Sequence, residues 1–305
     1  MTRIAHPHRL ILALALLAGS LLLPVPDASA GSPQWERILF LASEDSGPHQ
    51  SIFGQIHDVP NGRMVYAALG HPDTEAWLSI WDCHRCLVIT SGTRSLNRAL
   101  PGLSEAHILS ITIPRQSFEL AVQTHGDTDR LAAIFMDIPL EQRMAIAREV
   151  LPGINRLALI EGPSRASPVE GLASHESNGA TGVERFVSYQ ENDLIRTFAR
   201  ASERADAILT VPDRRVYNPR TIVSIVMTTY RHRTPLIAHS ESLLRAGALI
   251  SIHATPEQLG KEAAMLLQSL ESGQPQWSAQ RHHTERHEVA INPYVARSLR
   301  IQVAP

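Results

Sequence analysis

From Arg37 onward, short and continuous apolar runs alternate with longer stretches whose apolar residues recur at helical spacing. The runs are ILFLAS (38–43), RMVYAALG (63–70), LVITSG (87–92), HILSITIP (107–114) and RLAAIFMD (130–137). TEAWLSIWD and TRSLNRAL lie between them as helix-like segments. After Pro139, LEQRMAIAREVL again carries a helical period. The alternation then resumes with RLALIEG (156–162), DAILTVPD (206–213), PLIAH (235–239) and ALISIH (248–253). A strand wetted on one face alternates apolar with polar, whereas an unbroken apolar run is a strand covered on both. The pattern therefore predicts an α/β chain with parallel sheets, helices on each face, and two doubly wound lobes. The changeover between lobes is expected near Asp137–Leu151.

Local signals refine the elements. Asn218-Pro219 and Thr255-Pro256 each set a capping residue before a proline, which predicts two helix starts. Thr255 with Gln258 adds the spacing of a capping box. Residues 271–286, ESGQPQWSAQRHHTER, read as polar loop, with a strand-like EVAIN after them. At the other end, Arg3 and Arg9 precede an apolar run from Leu10 to Leu23, broken by Pro24 and Pro26. Ala28-Ser29-Ala30 follows. That order is a secretory signal peptide over residues 1–30, cleaved before Gly31. The run is too short for a spanning helix, which needs ~20 apolar residues. No cysteine follows it, so an unlipidated periplasmic protein is expected.

Composition narrows the function. The formal charge of −2 speaks against a nucleic-acid binder. Lys261 is the only lysine among 28 basic residues, and it sits in the helix-like PEQLGKEAAMLLQSL. Lysine-nucleophile chemistry thus has a single candidate, which reads as a solvated helix residue. Two cysteines leave folding to the apolar core.

In open α/β sheets ligands bind beyond the carboxyl ends of the strands. Cys83 and Cys86 form a C-x-x-C ahead of LVIT, at the amino end of that strand. There they read as a structural pair, bonded or as inert thiols, rather than a redox or metal centre. The carboxyl ends instead offer Ser43, Ser91, Thr93, Arg115, Asp137, Ser164, Asp213 and Ser240. These are hydroxyls, carboxylates and an arginine, suited to a small polar or zwitterionic solute. His282, His283 and His287 form the one histidine cluster, and they read as loop histidines rather than metal ligands. G-x-S-x-G, H-E-x-x-H, the P-loop and the dinucleotide-binding glycine pattern are missing. Neither a catalytic role nor a cofactor is expected.

Seven segments in order carry a resemblance: RILFLASEDS, VITSGTRSL, ITIPRQSFE, IFMDIPLEQRMAIAREVLPGINRLALIEGPS, ADAILTVPDRRVYNPRTI, RHRTPLIAHSESLLRAGALISIHATPEQLG and VAINPYVARSLRI. From about Arg37 to Leu299 the chain resembles substrate-binding proteins of ABC importers. They form a type I periplasmic-binding-protein family with tryptophan-binding-like members. The resemblance implies two Rossmann-like lobes joined by three crossovers and closing on a solute. Carried onto this chain, the first lobe is residues 31–137 with 240–274, and the second is 138–239 with 275–305. Tyr217 and Asn218 join the implied ligand contacts. The implied partners are a small-molecule solute and an ABC transporter permease, with the protein a monomer. A ligand sensor signalling to a membrane receptor is the alternative.

Overall fold

The computed structural model describes residues 35–56, 63–163, 182–271, 277 and 280–304. The leader expected over residues 1–30 and Ser164 lie outside them. The first apolar runs become β1 (Arg37–Ala42), β2 (Arg63–Ala68), β3 (Cys86–Ser91), β4 (His107–Ile113) and β5 (Leu131–Phe135). Between them run α1 (Gly47–Ile56), α2 (Thr74–Ile80), α3 (Thr93–Ala99) and α4 (Arg115–His125). Next come α5 (Leu140–Val150), β6 (Leu157–Glu161), β7 (Val183–Val187), α6 (Glu191–Arg204) and β8 (Ala207–Leu209). They are followed by α7 (Ile222–Arg231), β9 (Leu236–Ala238), α8 (Glu241–Ala246), β10 (Ile250–His253) and α9 (Pro256–Glu271). The chain ends in β11 (Arg281–His283), β12 (Glu288–Ile291) and α10 (Pro293–Leu299).

Two six-stranded sheets result, ordered β11-β5-β4-β3-β1-β2 and β12-β10-β9-β8-β6-β7. Every pairing is parallel except that of β12 with β10. Each lobe therefore repeats one winding, with its first strand between its second and third, and borrows a sixth strand from the end of the chain. The unbroken apolar runs are explained by the two covered faces. Ile38, Phe40, Leu87 and Ile89 pack under α1 and α9, whereas Leu39, Leu41 and Val88 pack under α2, α3 and α4. Successive side chains alternate between these two cores, and each such burial is worth ~1.5–3 kcal/mol.

The chain passes between lobes three times, at residues 136–139, 254–255 and 284–287. The segment boundaries drawn from the resemblance shift accordingly. β10 was expected with the first lobe but hydrogen-bonds β9 and β12 in the second sheet. Only α9, from residues 240–274, serves the first core, through Leu259, Ala263 and Leu267. β11 was expected as loop in the second lobe, yet it pairs with β5 in the first sheet. An apolar run such as ALISIH announces a buried strand without naming its neighbours, which the register decides.

Among the predicted helix starts, Thr255 forms the capping box. Its N–H donates to Gln258 Oε1 at 2.9 Å and its Oγ1 accepts from Gln258 N at 3.2 Å. Asn218-Pro219 instead begins a turn, in which Arg220 N donates to Asn218 Oδ1 (2.9 Å) and Asn218 N to Thr221 Oγ1 (3.2 Å). The helix α7 starts only at Ile222. Among the described residues no helix is long and apolar enough to cross a membrane.

Candidate functional site

In each sheet the winding direction reverses beside the first strand, between β1 and β3 and between β6 and β8. Such a switch point opens a crevice at the carboxyl ends of the strands, where doubly wound folds bind ligands. In the first lobe, Ser43 follows β1, and its N–H donates to Ser91 O at 2.9 Å. Its Oγ accepts from Ser95 N at 3.0 Å, anchoring the first turn of α3. Gly92, at φ +96°, makes the approach possible, since a Cβ there would stand 2.5 Å from Ser43 Oγ. Ser91 Oγ lies 2.7 Å from His49 Nδ1 and 2.9 Å from Thr112 Oγ1. Burial holds the His49 imidazole below its ordinary pKa, so it stays neutral and shares one hydrogen with the hydroxyl chain. Ser91 is wholly buried and Ser43 nearly so, whereas Thr93 is half-buried at the amino end of α3.

The second lobe places Gly162 after β6 and Asp213 beyond β8. Asp213 is 8% exposed, and four donors surround its carboxylate. Oδ2 accepts from Gly162 N (2.9 Å) and Arg215 Nη2 (3.0 Å), and Oδ1 from Arg215 N (2.9 Å) and Nε (3.1 Å). Burial alone would raise its pKa, but these hydrogen bonds outweigh it and hold the carboxyl below its ordinary value. Arg215 Nη1 also donates to Pro163 O, so this guanidinium locks the loops after β6 and β8 together. Nearby, the carboxylate of Glu161 is paired with Arg185. A pocket of about 610 Å³ opens in front of these loops, lined by residues that follow β6, β7 and β8. Among the described residues, Asn218 is the one predicted site residue that lines it.

Tyr217 lies behind it, buried, with its hydroxyl donating to Ile160 O at 3.3 Å and burial pushing its pKa up. Beside it, the buried Arg143 of α5 donates to Thr210 O (2.7 Å) and Ile237 O (3.4 Å), at the carboxyl ends of β8 and β9. Burial lowers the Arg143 pKa to about 10, against the raising influence of Tyr217 and Asp137. His239 Nδ1 lies 2.7 Å from Thr210 Oγ1, and burial, helped by Arg143, lowers its pKa to about 3. Ser240 caps α8 by position, its Oγ 3.0 Å from Ser242 Oγ.

Arg115 and Asp137 meet where the chain first leaves the first lobe. Asp137 Oδ1 accepts from Arg115 N at 2.7 Å, closing the amino end of α4, and Arg115 Nε donates to Glu119 Oε1 at 2.8 Å. His283 Nδ1 lies 2.7 Å from Asp137 O, which ties the first crossover to the third. Burial raises the Asp137 pKa, opposed by His283 and by the Arg115 N–H. His282 and His283 are neighbours on β11, so their rings leave it on opposite faces. His282 Nε2 lies 3.2 Å from Glu262 Oε1. Cys83 and Cys86 are disulfide-bonded, with Cys86 beginning β3 at its amino end, away from the switch point.

Sequence reasoning passed over His49, Arg143 and the arginines of DRRVYNPR (213–220). The last carried a legible signal, three cations within one strand-to-helix connection. His49 and Arg143 carried none, because their partners lie far along the chain.

A family model described as ABC transporter substrate binding protein matches residues 131–304. Among solved structures, the chain is similar to a ligand-free, open substrate binding protein with adhesive properties from Clostridium difficile, with a TM-score of 0.68. It is also similar to an ABC domain from Streptococcus pneumonia in complex with L-Trp (0.58) and to a conserved domain protein from Vibrio cholerae (0.56). Each is 13% identical, and each alignment covers 88% of this chain and 96% of the other. At that identity the likeness is one of fold. No curated protein sequence matches the chain.

Proposed function

Because the chain belongs to the ABC transporter substrate binding protein family, we propose that it is an exported solute receptor. It takes up a small polar molecule between its lobes and delivers it to an ABC permease in the inner membrane. One observation carries this reading. Both sheets place polar and charged side chains at the switch point, and the second lobe adds a pocket of about 610 Å³ there, of a size that encloses a small molecule. The role is binding without turnover. Among the described residues the serine–histidine contacts, Ser91 with His49 and Ser251 with His253, have wholly buried serines with no exposed hydroxyl to attack a substrate. Asp213 and Arg143 serve by positioning loops, since backbone groups and Arg215 already engage them.

The leader belongs to the same proposal. Cleavage after Ala30 leaves Gly31 as the first residue of an unlipidated periplasmic monomer. Two measurements test the reading. Mass spectrometry of the exported protein should return an unmodified chain beginning at Gly31. A thermal-shift screen of amino acids, organic acids, nucleosides and sugars should find a stabilising solute. A ligand at a hundred times its Kd adds ~2.7 kcal/mol of stability. If no solute of any class stabilises the protein, the receptor reading falls.

A further inference from the structure

The pocket in the second lobe has a one-sided charge. Arg214, Arg215 and Arg220 line it, and among the described residues no acidic one does. Arg215 is already compensated by Asp213, with both carboxylate oxygens engaged. Arg214 and Arg220 are exposed, and among the described residues no carboxylate pairs with either. Two arginines therefore line this space with no described carboxylate against them. The buried carboxylates beside it are spent, Glu161 on Arg185 and Asp213 on Arg215. An ammonium entering the pocket would meet cations and no described carboxylate, whereas an anion would meet two forked donors.

Besides the neutral polar Ser188, Gln190 and Asn218, the lining has an apolar part. Leu194 and Val216, 2% and 1% exposed, reach the pocket from the core of the lobe. Tyr189 lines it too, yet its side chain is 73% exposed. A tyrosine so open beside a pocket offers a ring face on which a planar group can stack. An inorganic anion would leave that face and the apolar floor unused.

From these two features we infer that the pocket takes a small aromatic carboxylate that carries no ammonium group. Its carboxylate sits on Arg214 and Arg220 and its ring against Tyr189. This names a ligand class within the receptor reading and rests on it. It also departs from the zwitterion that the strand-end residues suggested, because the carboxylates that would hold an ammonium are already paired.

The test uses the mature chain, residues 31–305, in calorimetric and thermal-shift titrations. The probes are benzoate, 4-hydroxybenzoate and cinnamate, each matched with its own neutral amide, together with phenylalanine, tryptophan and glucose. At least one acid should bind tenfold or more tighter than its amide, and should weaken as salt is raised. Arg214→Gln and Arg220→Gln keep the length of an exposed side chain, and each should weaken that acid about tenfold while leaving the melting temperature unchanged. Tyr189→Ala should weaken it several-fold. If an amino acid or glucose binds better than every acid, or if the acid binds both Gln variants as it binds the wild type, the inference is overturned and the receptor reading stands. If no probe binds while the broad solute screen yields another ligand, the inference alone is again lost. Silence in both screens removes the two together.

Discussion

Asp213→Ala removes the acceptor that joins the loops after β6 and β8. Three kinds of interaction go with it. Gly162 N–H, at the buried end of β6, loses its partner at 2.9 Å, and a stranded donor costs ~1–3 kcal/mol. Arg215 N loses a second bond at 2.9 Å, worth ~1 kcal/mol. The ion pair itself adds little, since the Arg215 side chain is 52% exposed and such pairs yield ~0–1 kcal/mol. Together the variant should lose ~2–5 kcal/mol, or ~4–8 °C in Tm for a chain of this size. Asp213→Asn keeps an oxygen in place and should lose about half as much. The pH dependence has a definite sign. Because the folded pKa of Asp213 is depressed, its stabilising contribution is complete above the unfolded value of ~4. It drains away as pH falls through the folded value, so the gap between wild type and Asp213→Ala should narrow in acid. Thermal melts of the two proteins at several pH values measure this. A variant melting within a degree of wild type at neutral pH would refute the account of these loops.

Three further substitutions probe other elements. Gly92→Ala forces a Cβ to within 2.5 Å of Ser43 Oγ at a positive φ, and should cost ~2–4 kcal/mol in urea unfolding. Replacing both Cys83 and Cys86 with Ser opens a four-residue loop and should cost ~2 kcal/mol of stability, with ligand affinity unchanged in calorimetry. Thr255→Ala removes one half of the capping box of α9 and should lower stability by ~1 kcal/mol in the same unfolding assay.

The central strands could be read from sequence because a strand covered on both faces has to be continuously apolar. LVIT and ALIS announce themselves that way. The strands that were missed lie at edges, where that demand lapses. β7 is VERFV, partly exposed along its length, and β11 is Arg-His-His, whose place comes only from pairing with β5. The strand-end rule located the switch points, but it could not tell which side chains there remain available. Asp213 looks like a ligand carboxylate until Arg215, two residues on, is seen to fold back onto it. Ser91 looks like a donor to a solute until His49, from a helix that begins after β1, is found against it. The pairing of Asp137 with His283 spans 146 residues, and no local pattern encodes it.

The threefold passage of the chain between lobes bears on the order in which the protein can mature during synthesis. The helix that seals one face of the first sheet is α9, and the strand that completes that sheet is β11, both made after the whole of β10. The second sheet in turn waits for β12, a few residues later still. A growing chain thus holds two unfinished cores until its last fifty or so residues appear, with Ile38, Phe40 and Ile89 lacking the cover of Leu259, Ala263 and Leu267. The lobe made first cannot settle first. A ribosome-stalled or truncated chain ending before Pro256 should remain protease-sensitive in both lobes, and the final segment should act as a late fastening for the two together.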